Sequence, residues 1–203
     1  MADATKRLLE LLELEVPDPE AIAGHLDSLE IYDAVPAIRA LGGRRLQQKL
    51  WTAAAVSPRI ETADLLPRDY EPMRPVAFHG KNSLPLFTEF EKVCCRPPSG
   101  HGSDELWGYN EGPTRSWVGP GYYVTHGSPD SELGGTVFDY TRTPEERCQG
   151  WPEIKTNDSG ISRLVYKGML DYMRRVARDV FIGSATKAGR EMSSYFILVR
   201  ERL

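Results

Sequence analysis

Over the first sixty-odd residues the apolar positions recur at helical spacing. TKRLLELLELE carries leucines at 8, 9, 11, 12 and 14, enough to cover more than half the circumference of a helix, so this helix has to pack against something. A second helix restarts in VPDPEAIAGHLDSL, with Asp18 as N-cap and Pro19 at the first helical position, where its missing N–H costs nothing. DAVPAIRALGGRRLQQKLWTAAA gives further helix, broken at Gly42-Gly43. The segment 1–66 is thus expected to be helical and free of strand. VSPRIETADLLPRDYEPMRP, with its four prolines, is a connector.

From Pro75 the pattern changes. PVAFHG is β-prone. SLPLFTEFEKVCC sets Leu86, Phe87, Phe90 and Val93 at helical spacing and predicts a short amphipathic helix ending at Cys94-Cys95. ELWGYNE, RSWV, GYYVTHG and GTVFDYTRT are rich in aromatic and β-branched residues between Gly, Pro, Asn and Asp, which predicts strands of one antiparallel sheet. Around 161–178, Ile161, Val165, Met169, Tyr172, Met173 and Val176 fall on one helical stripe, opposite Arg163, Lys167, Asp171, Arg174 and Arg178. This predicts one long helix that buries Val165, Met169, Tyr172 and Val176. DVFIGSATKAGREMSSYFILVRE then reads as a hairpin turning at TKAGRE.

The expected fold class is therefore α+β: a mostly antiparallel sheet packed by one long and one short helix, preceded by an N-terminal helical segment. The expected organisation is a helical segment at 1–66 and an α+β domain at 75–203, packed together as one unit.

Composition narrows the partners. Lys plus Arg number 25 against 29 Asp plus Glu, a net charge of -4, which argues against a dedicated nucleic-acid binder. The charge is uneven: residues 1–35 hold nine acidic and two basic side chains, whereas 161–203 hold nine basic and four acidic. No apolar run is long enough to span a membrane, and the acidic N-terminus does not read as a signal peptide. The odd cysteine count, with Cys94 and Cys95 adjacent and Cys148 apart, is a poor disulfide framework. The expectation is a soluble, cytoplasmic protein with reduced thiols.

No short motif names a reaction. The cysteines and histidines lack the paired spacing of a zinc site, so no metal is expected. There is no phosphate-cradling loop and no nucleophile elbow, and no cofactor is expected. What remains is the aromatic stretch GYNEGPTRSWVGPGYYVTHG. In alternating strands Tyr122 and Val124 face one way and Tyr123 and Thr125 the other, while Trp107 and Tyr109 share a face. With His126 at a strand end and Asp139 and Tyr140 in the next strand, polar aromatic tips converge as in a small-molecule pocket. The leading reading is a protein that binds a small organic ligand in a sheet-lined pocket with Trp107, Tyr109 and Tyr123 as ligand-binding residues, and with His79 as the alternative centre. Should it turn that ligand over, His126 is the acid or base and Asp139 orients it. The competing reading is a non-enzymatic interaction module, or a self-associating homo-oligomer, that uses the acidic, Leu-rich N-terminal helices.

Overall fold

The computed structural model describes residues 2–130 and 132–203. Eight strands follow one another as antiparallel neighbours: β1 (Val76–Asn82), β2 (Glu89–Cys95), β3 (Leu106–Glu111), β4 (Tyr123–Gly127), β5 (Thr136–Asp139), β6 (Met169–Arg175), β7 (Val180–Lys187) and β8 (Arg190–Arg200). β8 returns to pair with β1, with Gly80 opposite Leu198, and the sheet closes into a barrel. The expected helix-packed α+β sheet is thus corrected to a closed antiparallel barrel, a solution that leaves no unpaired sheet edge.

Two predicted helices are strands. The run 83–95 opens with a turn, and Glu89–Cys95 is β2, with Phe90, Lys92 and Cys94 on the inner face. Leu86 and Phe87, counted into the helical stripe, lie exposed in the turn. The run 161–178 divides at Gly168, whose φ of 67° ends a short helix, α7 (Ser162–Tyr166), before β6 begins. The presumed buried stripe mixed two elements, and Val165 is 39% exposed. Conversely RSWV is one helical turn, α6 (Arg115–Val118), ended by Gly119 at φ 97°. The β7–β8 hairpin forms as expected: Ala188 and Gly189 both have positive φ between the paired Lys187 and Arg190, the backbone of a two-residue primed turn.

Among the described residues 2–66 there is no strand. α1 (Ala2–Glu13), α2 (Pro19–Asp27), α3 (Ile31–Arg39), α4 (Arg44–Ala53) and the single turn α5 (Thr62–Leu65) follow in order. Asp18 caps α2 by accepting from the Glu20 N–H at 2.9 Å. Most leucines of this layer are buried in the chain's own core, although Leu14 is 50% exposed. Leu8, Leu11, Leu12, Leu26, Ile38 and Leu50 pack with Tyr172, Ile182, Ile197 and Val199 on the outer barrel wall. Arg174 ties the layers together by donating to the Trp51 carbonyl at 2.9 Å, with its guanidinium 3.9 Å from that ring's centre. No helix among the described residues is long and apolar enough to cross a membrane.

The proline-rich connector stops one end of the barrel. Ile60, Leu65 and Leu66 join Phe78, Leu106, Phe138, Met173 and Phe181 in the interior cluster. Their carbonyls are held from the strands: Arg200 donates to Leu65 at 2.7 Å, Thr136 to Ile60 at 3.1 Å, and Arg96 to Leu66. Gly135 is required at this stopper, because a Cβ there would lie 2.1 Å from the Ile60 carbonyl oxygen.

Candidate functional site

The opposite end of the barrel is open. It is rimmed by the four connections β1–β2, β3–β4, β5–β6 and β7–β8, and inside it lies a cavity of ≈ 360 Å³. Phe87, Phe90, Leu164, Tyr166, Met169, Met192 and Phe196 supply apolar walls. In β8, Met192 and Ser193 lie between partners of consecutive β7 residues, Ala185 with Ser194 and Thr186 with Glu191. This irregularity bends the hairpin at the cavity edge, the usual effect of a bulge. Tyr166 of α7 stacks on Tyr140 with centroids 5.2 Å apart, and only a glycine at 121 leaves room for its ring.

Four polar side chains line the inner part of the cavity: Lys92 from β2, Asn110 from β3, Tyr140 just beyond β5, and Asp171 from β6. Register places them there. Lys92 lies directly opposite Asn110, and Asp171 directly opposite Phe138, so Tyr140 is two residues further on the same inward face. Lys92 crosses the interior to donate to Asp171 Oδ2 at 3.0 Å, to Asn110 Oδ1 at 3.2 Å and to the Tyr140 hydroxyl. Tyr140 donates to Asp171 Oδ2 at 3.2 Å, and Asn110 Nδ2 donates to Tyr140 at 3.1 Å and to the Gly121 carbonyl at 3.2 Å. The ring centres of Tyr123, Phe138, Tyr140 and Phe196 stand 4.8–5.0 Å from the ammonium. Such an aromatic cage favours a cation at that point.

Both charges are out of water: the Lys92 side chain is 2% exposed and that of Asp171 4%. Burial draws the Lys92 ammonium below its ordinary pKa, against the opposing pull of Asp171. It likewise pushes the Asp171 carboxyl up, against the bonds from Lys92 and Tyr140. Both shifts lean toward an uncharged pair, because desolvation penalises the ion in each case.

No protein-family model, no curated protein and no solved structure matches the chain. The chemistry of the site therefore has to be read from its own residues.

The residues singled out in the sequence are spread over four places. Tyr123 is in the barrel, under Lys92. Trp107 and Tyr109 face outward with Tyr122, Val124, Cys95, Cys148 and Trp151 in a separate cluster beneath the 141–161 loop. Asn157 anchors that loop by donating to the carbonyls of Tyr122 at 2.7 Å and Tyr140 at 2.8 Å. His79 is on the outer wall of β1 between Glu91 at 3.0 Å and Glu201 at 3.1 Å. His126 and Asp139 do meet, Nε2 to Oδ2 at 3.3 Å, but on the outer wall and not in the cavity. The other His126 nitrogen, Nδ1, donates to the Gly127 carbonyl at 2.8 Å. Both ring nitrogens thus face acceptors, and the bond to Asp139 raises the His126 pKa. Burial pushes the Asp139 carboxyl up, but the bonds from His126 and Thr141 outweigh it and its pKa is lowered.

The three cysteines are free and buried. Cys94 faces the interior, where burial pushes its thiol up to about 12. It sits in a strand, not at a helix end as the sequence pattern had suggested. Sequence reasoning missed Lys92, Asn110 and Asp171. The available signal was the two-residue period of an extended chain: read as a strand, EFEKVCC puts Lys92 on the same face as Phe90 and Cys94.

Proposed function

We propose that the chain binds a small, largely apolar and uncharged organic molecule inside the barrel, with its polar end on the Lys92–Asp171–Tyr140–Asn110 group. The observation that carries this reading is the cavity of ≈ 360 Å³, stopped at one end and open at the other, with apolar walls and four convergent polar groups. That combination is the usual make-up of a small-molecule site. The volume suits a fused bicyclic ring system or a medium-length chain, not a polymer.

Charge balance argues for an uncharged ligand. Lys92 and Asp171 are already paired, so the polar group is neutral as a whole. A carboxylate or an ammonium added beside it would leave one charge uncompensated in a low-dielectric interior, which costs more than the hydrogen bonds return. A hydroxyl or carbonyl can use Tyr140, Asn110 and the remaining Asp171 oxygen without that penalty. The Leu-rich helices give the competing interaction-module reading little support, because Leu8, Leu11 and Leu12 are buried in the core against the barrel wall.

The test is displacement of a neutral fluorescent probe, N-phenyl-1-naphthylamine, by decanol, decanoate and decylamine. Decanol is expected to compete at least about tenfold more strongly than either ion, a difference of about 1.4 kcal/mol. Ala185, inward-facing and on the cavity wall, provides the control: Ala185→Phe fills the space and is expected to abolish probe binding. Stronger competition by decanoate, or unchanged binding in Ala185→Phe, would overturn the reading.

A further inference from the structure

We propose that Lys92 captures carbonyl compounds: its ε-amine condenses with the aldehyde or ketone group of a ligand held in the barrel, giving an imine, while Asp171 carries the protons. This rests on the reading that the cavity binds a small ligand, and it adds a covalent step to it. A lysine that only balanced a buried carboxylate would need no open space beside it. Here all four polar residues line the same cavity, so a ligand's head group meets the amine and its proton carriers together.

The steps balance within the residues present. The Lys92 ammonium gives a proton to the Asp171 carboxylate, 3.0 Å away. The freed nitrogen lone pair attacks the carbonyl carbon and forms the C–N bond, while the C=O π pair moves to oxygen, which takes the proton from Asp171. One N–H proton passes back to Asp171, giving a neutral carbinolamine. That proton then goes to the carbinolamine hydroxyl, the C–O bond breaks, water leaves, and the nitrogen lone pair closes the C=N bond. The net change is ammonium plus carbonyl to iminium plus water, with no oxidant or reductant.

Three features favour this sequence. Desolvation of the amine makes the nucleophilic free base easier to reach, the usual way a lysine is activated. Tyr140 and Asn110 are positioned to hydrogen-bond the carbonyl oxygen as charge develops on it. The product iminium is a cation at the place where Tyr123, Phe138, Tyr140 and Phe196 already surround one, with Asp171 as its counter-ion. Lys187 is a built-in comparison. It lines the rim of the same cavity, but its ammonium donates to the Leu164 carbonyl at 2.5 Å and, among the described residues, pairs with no carboxylate.

The experiment incubates the full chain with 2-naphthaldehyde and sodium cyanoborohydride at neutral pH, so that hydride reduces any iminium to a stable amine, and maps the added mass by peptide. Lys92 is expected to be labelled at least about tenfold faster than Lys187, because it has the Asp171 carboxyl at 3.0 Å to carry its protons. 2-Naphthylmethanol, which can occupy the cavity but cannot condense, is expected to suppress labelling of Lys92 and not of Lys187. Lys92→Arg keeps a cation opposite Asp171 but has no amine that condenses, and is expected to lose the label while still unfolding cooperatively. If 2-naphthylmethanol binds the native chain but Lys92 is labelled no faster than Lys187, the carbonyl proposal falls and the binding reading stands. If 2-naphthylmethanol does not bind and Lys92 stays unlabelled, both fall.

Discussion

Replacing Lys92 by Met would leave the buried carboxylate of Asp171 without its cation. Methionine fills most of the lysine's volume, so the change is mainly electrostatic. The Asp171 side chain is 4% exposed, and its remaining described partner, the Tyr140 hydroxyl, cannot neutralise it. The folded variant must therefore hold Asp171 protonated. In the unfolded chain that carboxyl ionises near pH 3.9, so keeping its proton at pH 7 costs about 4 kcal/mol, at about 1.4 kcal/mol per pH unit. This agrees with the roughly 3–5 kcal/mol typical of removing one partner from a buried pair. It is a large share of the roughly 5–15 kcal/mol that holds a domain together. The sign follows from proton counting. With its folded pKa raised, Asp171 binds more protons in the native state than in the unfolded one, so the variant gains stability as pH falls toward the unfolded pKa and loses it as pH rises. Urea unfolding of both chains between about pH 5 and pH 7 should show a stability gap that widens by about 1.4 kcal/mol per unit. The double variant Lys92→Met/Asp171→Leu should regain most of the loss at neutral pH, because no unpaired charge remains. A small gap that does not change with pH would show that the two groups do not depend on each other, and the account of the cavity's polar end would fail with it.

Gly108 of β3 is a point of close approach: a Cβ there would lie 2.5 Å from the Tyr123 ring and 2.6 Å from the Val93 carbonyl oxygen. Gly108→Ala should destabilise by about 1–3 kcal/mol in a thermal or urea melt, as overpacking does; an unchanged midpoint would mean that β2 and β3 yield easily. His126→Ala should cost under about 1 kcal/mol, since the His126 side chain is itself 30% exposed and Asp139 keeps its bonds from Thr141. It should leave probe binding in the barrel unchanged, and loss of binding would return His126 to the site. Because the His126 pKa is raised, whatever the pair contributes is fully present below the unfolded histidine pKa and disappears as pH rises through the folded one. NMR titration of the imidazole should show that raised midpoint, and Asp139→Asn should bring it down.

The sequence showed the fold wherever the periodicity was undisturbed. β1, β3, β4, β5 and the β7–β8 hairpin follow aromatic and β-branched runs between turn residues, and the alternation of Tyr122 and Tyr123 does send them to opposite faces. The N-terminal helices follow their leucines and the Asp18 cap. The two missed strands, β2 and β6, share one property: they carry Lys92 and Asp171, the interior ion pair. A charge at an inward position breaks the apolar alternation that marks a strand, and the remaining hydrophobes can then be fitted to a helical stripe. Asp171 was even counted on the polar face of the presumed helix. Without β2 and β6 the sheet does not close, and an open α+β sheet becomes the natural inference. Local rules tend to fail where a protein gives up consistency for a site, and here two of the errors of secondary structure fall on strands that carry residues of the cavity, RSWV being the other. Pairing could not be deduced either, since nothing in the chain's local pattern says that a lysine at 92 will meet an aspartate at 171.

The distribution of exposed apolar side chains separates the two ends of the barrel. At the stopped end, where Ile60, Leu65 and Leu66 fill the opening, none of the described residues of the β2–β3, β4–β5 and β6–β7 connections is an exposed large hydrophobe. Around the open end, Leu86 is 69% exposed, Phe87 59%, Trp117 76% and Leu164 75%, and these come from three different connections. Exposure of such side chains is unfavourable by roughly 1.5–3 kcal/mol each relative to burial. Folding alone could have avoided it, as the other end shows. The tethers are local: α7 is held to α6 by Ser162 on the Val118 carbonyl, and to β7 by Lys187 on the Leu164 carbonyl. This end is therefore ordered by polar bonds to the backbone, while its apolar side chains remain uncommitted to the core. Clustered exposed apolar surface at the opening of an apolar cavity is the arrangement expected where hydrophobic molecules pass between outside and inside. Under the proposed binding reading, the open end is the face by which a ligand would enter.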